Sequence, residues 1–100
     1  MKQYPLNLMM TEETFVRIEE YAAHFMRVDE IAILTGIDEE DLKDAIADKK
    51  SELSKRYRKA RAESVFSLRQ KILKLAKNGS PQAELLIAGF IQEQTLSEND

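Results

Sequence analysis

The residues best equipped for chemistry are cations. Between positions 49 and 61 the chain reads Lys49-Lys50-Ser51-Glu52-Leu53-Ser54-Lys55-Arg56-Tyr57-Arg58-Lys59-Ala60-Arg61. Wound as a helix, Leu53, Tyr57 and Ala60 share one narrow strip, and the seven bases spread over the remaining circumference. The chemistry such a surface offers is neutralisation of a phosphate backbone, which releases condensed counterions. Lys49, Lys50, Lys55, Arg56, Arg58, Lys59 and Arg61 are therefore the expected DNA-contacting residues. The opposing reading is a solvated helix whose bases pair with the acidic amino-terminal half.

Other reactive side chains form no constellation. His24 is the single histidine and there is no cysteine, so no metal site is expected. Ser51, Ser54, Ser64, Ser67 and Ser80 fit no nucleophile motif, and Gly36, Gly79 and Gly89 are too isolated to cradle a phosphate. No catalytic residue, enzyme activity or cofactor is expected.

Charge is segregated along the chain. Residues 1–48 carry four bases against twelve acids, residues 49–77 eleven bases against two acids, and residues 78–100 four acids and no base. The overall net charge of −3 hides a middle segment at +9. Partners respond to this local potential, not to the total. The longest apolar run, Leu85 to Ile91, is far shorter than the roughly 20 residues that span a bilayer. Residues 1–10 are broken by Pro5 and Asn7 and lack the apolar core of a signal peptide, so a cytoplasmic location is expected.

The elements that must position the bases read as helices throughout, so the expected fold is all-α. An extended arm over residues 1–10 offers Tyr4, Leu6, Leu8, Met9 and Met10 for packing. Thr11 should cap a first helix whose buried face is Phe15, Ile18, Ala22 and Phe25. The stretch from Ile31 to Ile46 then reads as helix, glycine turn, helix. Gly36 supplies the left-handed turn, Ile37 faces inward and Asp38 caps the next helix. This is the pattern of a helix-turn-helix unit, which most often binds nucleic acid. Its second helix, however, presents Glu39, Glu40, Asp41, Asp44 and Asp48 with Lys43 as the only base. Carboxylates are repelled by phosphate, so the flanking basic segment is the expected contact.

A polar break at Asp48 to Ser51 should precede one long helix to Asn78, ended by Gly79. At ~1.5 Å per residue such a helix spans about 42 Å, beyond what a compact domain of this size can cover. Val65, Leu68, Ile72 and Leu75 nevertheless continue an apolar seam at three-four-three spacing, widened by Phe66 and Leu73. Ser80-Pro81 should start a last helix running to about Gln94, apolar on every face from Leu85 to Ile91. One antiparallel neighbour does not enclose it, so copies of the chain are expected to associate. Val65, Leu68, Ile72, Leu75, Leu86, Ile87, Phe90 and Ile91 are the expected oligomer interface. The organisation is thus a domain over 1–48, a basic connector and oligomerising hairpin over 49–95, and an acidic tail over 96–100.

The order of helix-turn-helix, basic connector and long helix, followed by Lys74-Leu-Ala-Lys-Asn-Gly-Ser-Pro-Gln-Ala-Glu-Leu-Leu-Ile87, resembles the small terminase subunits of tailed phages and prophages. Ala76, Gly79, Pro81 and Ala83 sit where such proteins carry an Ala-x-x-Gly-x-x-x-Ala-like hairpin turn. The resemblance spans residues 12–95. It implies a packaging adaptor that holds viral double-stranded DNA, assembles a ring and hands the DNA to a large terminase subunit bearing the ATPase and nuclease. It implies host-cell cytoplasm as the location, and an acidic tail that docks the large subunit. Two other readings fit the same residues. One is a small dimeric helix-turn-helix transcriptional regulator, and the other a helical protein-interaction adaptor that never touches DNA.

Overall fold

The computed structural model describes residues 10–98 and is all-α. Its helices are α1 (Glu12–Ala23), α2 (Val28–Thr35), α3 (Glu39–Ala47), α4 (Glu52–Lys77) and α5 (Pro81–Glu98). The chain divides into two compact units, residues 1–64 and 65–100. The division therefore falls inside α4. The sequence offers a polar break at 48–51, but the first turns of α4 belong to the amino-terminal unit because Leu53 and Tyr57 are buried in its core.

Local rules set most helix ends. Thr11 caps α1, its Oγ1 accepting the Thr14 N–H at 3.2 Å. Asp38 caps α3 by accepting the Asp41 N–H at 3.1 Å. Gly36 closes α2 at φ +76°, a left-handed conformation in which its N–H donates to the Ala32 carbonyl. Gly79 closes α4 at φ +94°, with the Ser80 N–H reaching back to the Leu75 carbonyl. Ser80 then caps α5 through the Ala83 N–H. α5 continues to Glu98, four residues past the expected end at Gln94, so the tail assigned to 96–100 is helical as far as it is described.

The core of the first unit joins Phe15, Ile18 and Ala22 of α1, Ile31 and Ala32 of α2, Leu42 of α3, and Leu53 and Tyr57 of α4. Met10 and Ile37 pack against it. Of the residues expected to pack from the arm, Tyr4, Leu6, Leu8 and Met9 lie outside the described residues. Ser54 is fully buried, and its Oγ donates to the Ile46 carbonyl at 2.6 Å. Ser51 Oγ donates to the Ala45 carbonyl and accepts the Ser54 N–H. Two hydroxyls thereby satisfy carbonyls that the end of α3 leaves without helical partners.

Phe25 departs from the expected pattern. It belongs to the period of α1 but lies past the helix end, at φ 59° and 42% exposed. The Phe25 N–H donates to Ala22 and the Met26 N–H to Tyr21, a Schellman closure with an aromatic residue where glycine is usual. No glycine is at hand near this end, so the turn is made at the expense of backbone strain.

In the second unit, α5 folds back along the end of α4. Arg69 and Phe90 stand about equally far from Gly79, and the Arg69 guanidinium lies 4.2 Å from the Phe90 ring centroid. The covered line on α4 is Val65, Arg69, Ile72 and Ala76, and that on α5 is Ala83, Ile87 and Phe90. Arg69, rather than Leu68, thus shares the seam with Val65 and Ile72. Leu68 and Leu75 stand on its shoulder, 49% and 54% exposed. Ala83 is the single buried hydrophobic residue among the described residues of this unit.

Candidate nucleic-acid interface

The seven bases expected to contact phosphate separate into three groups. Arg56 is committed inside the protein. Its Nη1 and Nη2 donate to Glu12 at 2.8 and 2.7 Å, and its Nε and Nη2 donate to Glu19 at 3.1 and 2.9 Å. The guanidinium also lies 4.8 Å from the Phe15 ring centroid. The hydrogen bonds it donates to Glu12, then to Glu19, hold it firmly protonated, and the same contact lowers the Glu12 carboxyl below its ordinary range. For this residue the pairing with the acidic half is realised, and its charge is spent on joining α4 to α1.

Lys55, Arg58 and Lys59 form the second group. They occupy successive turns on the side of α4 opposite Leu53 and Tyr57, all three exposed. Lys49 and Lys50 precede them in the α3–α4 turn, also exposed, with the Lys50 N–H tied to the Asp48 carboxylate. None of these five side chains is ion-paired to a described carboxylate. Such unpaired, adaptable cations are what phosphate neutralisation requires.

Arg61 stands apart. It is half-buried, 5.5 Å from the Phe25 ring centroid and 5.8 Å from that of Tyr57, and its Nη1 donates to the Tyr57 hydroxyl at 3.0 Å.

The three-residue turn Gly36–Asp38 joins α2 to α3, and the surface of α3 is acidic. Lys43, its only base, is paired with Glu39 at 2.8 Å, and that contact holds the ammonium above its ordinary pKa. α3 has no uncommitted cation with which to approach a phosphate. The exposed His24 brings its Nδ1 to 2.7 Å from the Glu20 carbonyl. Among the described residues, no group of three His, Cys, Asp or Glu side chains is disposed to hold a metal ion, and no helix is long and apolar enough to cross a membrane.

The expected oligomer residues divide as well. Val65, Ile72, Ile87 and Phe90 are half-buried within the second unit, whereas Leu68, Leu75, Leu86 and Ile91 are exposed. Phe66, Leu73, Leu85 and Leu96 add further uncovered apolar surface.

Several positioning contacts had no clear trace in the sequence pattern. Arg17 donates from Nη2 to the Leu34 carbonyl at 2.8 Å, capping α2 from α1. Ser64 Oγ donates to the Ala23 carbonyl at 2.6 Å, fastening α4 to the end of α1. Both serve helix C-termini that have no basic residue in the last turn. That shortage is a signal that carbonyl partners must come from elsewhere. Compared with protein-family models, with characterised proteins and with solved structures, the chain finds no match.

Proposed function

We propose that this chain is a DNA-packaging adaptor of the small-terminase kind, which binds double-stranded DNA, self-assembles and delivers the DNA to a large terminase motor. The observation that carries the reading is the cluster of five exposed bases without carboxylate partners, Lys49, Lys50, Lys55, Arg58 and Lys59. Arg56 is excluded from the contact set because both of its carboxylate partners lie within the same unit. The uncovered apolar residues of the second unit support the self-assembly half of the reading. Ring formation and the motor partner rest on the family resemblance.

A salt-titrated binding assay on a short duplex tests the DNA contact. Changing Lys55, Arg58 and Lys59 together to Glu removes three phosphate contacts. The slope of log affinity against log salt should become shallower by about 2.7, at ~0.9 per contact. An unchanged slope and affinity would remove the basic face from the interface. The acidic surface of α3 favours the second reading, a protein-interaction adaptor, and that reading expects the same null result. A solution mass at the dimer value favours the transcriptional regulator instead.

A further inference from the structure

Two arginines of α4 are stacked on phenylalanines from α1 and its carboxy-terminal turn, and they differ in what completes them. Arg56 over Phe15 is saturated, its guanidinium donating to the carboxylates of Glu12 and Glu19. Arg61 lies against Phe25 and Tyr57 and makes a single hydrogen bond among the described residues, to the Tyr57 hydroxyl. Four of its five N–H bonds are unspent. No described carboxylate stands within ion-pair distance, although the residue is half-buried. The second stack therefore has the form of the first without its anion.

A guanidinium lying against two rings and bonded to one hydroxyl is partly ordered before any anion arrives. Its planar fork matches the two oxygens of a phosphate, and little further ordering is needed on binding. Phe25 bears on the same point. Its φ of 59° suits glycine or asparagine, either of which closes a helix with less strain. What the phenylalanine adds at this position is a ring, and that ring faces Arg61. Arg58, one turn earlier on α4, adds to the local positive potential.

We propose that Arg61 is a preorganised phosphate-diester site, with Phe25 as its positioning residue. The site takes its anion from outside the chain. The proposal rests on the duplex-binding reading only for the source of that phosphate. Lys55, Arg58 and Lys59 contribute as mobile point charges, whereas Arg61 contributes through geometry.

The test uses the full chain and two substitutions that conserve charge. Arg61→Lys keeps the cation and loses the fork, and Phe25→Leu keeps apolar bulk and loses the ring face. Each should weaken duplex binding roughly threefold or more while leaving the salt slope unchanged, because no charge is removed. A merely structural role would lower the melting temperature and leave the affinity of the folded protein where it was. Wild-type affinity in both folded variants overturns the proposal. Should Phe25→Leu fail to fold, Arg61→Lys alone decides. Should the wild type bind no duplex, inorganic phosphate is titrated while the Arg61 side-chain Nε–H resonance is followed. A saturating shift that chloride at matched ionic strength does not produce supports a phosphate site with another source. No shift overturns it.

Discussion

Replacing Leu86 and Ile91 together by Asp tests whether the second unit exists to associate. Both side chains are uncovered, at 50% and 59% exposure, so the change removes little packing within a single chain. Fully burying a Leu or Ile is worth about 1.5–3 kcal/mol, so covering the remaining half of each contributes roughly 1 kcal/mol. Eight large apolar side chains among the described residues of this unit stand similarly open. Two chains covering these surfaces against each other would gain on the order of 16 kcal/mol. Association costs roughly 4–15 kcal/mol, which leaves a net gain of roughly 1–12 kcal/mol, a window that contains the ~8 kcal/mol of a micromolar complex. The double substitution forfeits about 2 kcal/mol per chain and so about 4 kcal/mol per pair, on the order of a thousandfold in dissociation constant, before the desolvation of the introduced carboxylates is added. Light scattering after size exclusion, at tens of micromolar on the order of the expected complex, reads the outcome. The wild type should elute as an assembly, and the variant should elute as a monomer with unchanged helical circular dichroism. A monomeric wild type that binds no hydrophobic dye would refute the reasoning, as would a variant that stays assembled.

The Arg56 cluster predicts an acid-sensitive component of stability. The folded Glu12 carboxyl titrates below its ordinary value of 4.5, so its contribution is complete above that value and is lost as pH falls through the depressed one. Melting temperature measured from neutral pH downward should therefore fall more steeply for the wild type than for Glu12→Gln, and parallel curves would contradict the cause assigned. Ser54→Ala removes a fully buried hydroxyl and leaves the Ile46 carbonyl without its 2.6 Å donor, which should cost about 1–3 kcal/mol in urea unfolding. Gly79→Ala meets no atom within 4 Å, so its expected loss of about 1 kcal/mol comes from the φ of +94° alone. Gly79→Asn, which tolerates that conformation better, should lose less in the same assay.

The helix ends that carry a capping side chain or a glycine were readable in the residues because each is decided within a few positions. Thr11, Asp38, Ser51 and Ser80 each bond an N–H three residues on, and Gly36 and Gly79 each supply one left-handed residue. The core positions Phe15, Ile18, Ala22, Ile31 and Leu42 follow from helical period in the same way. What stayed hidden depends on partners remote in sequence. Arg56 is joined to carboxylates 37 and 44 residues away, so composition alone could not separate it from Lys55 or Lys59. Phe25 fits the apolar period of α1, yet the chain turns before reaching it, and a period says nothing about where a helix without a terminal glycine will close. The unit boundary inside α4 is of the same kind. No glycine or proline marks Ser64, and only the burial of Leu53 and Tyr57 against α1 to α3 assigns the preceding turns to the first unit. Local backbone preferences act over one turn of chain, whereas the assignment of each charge and each apolar face waits on which helices meet.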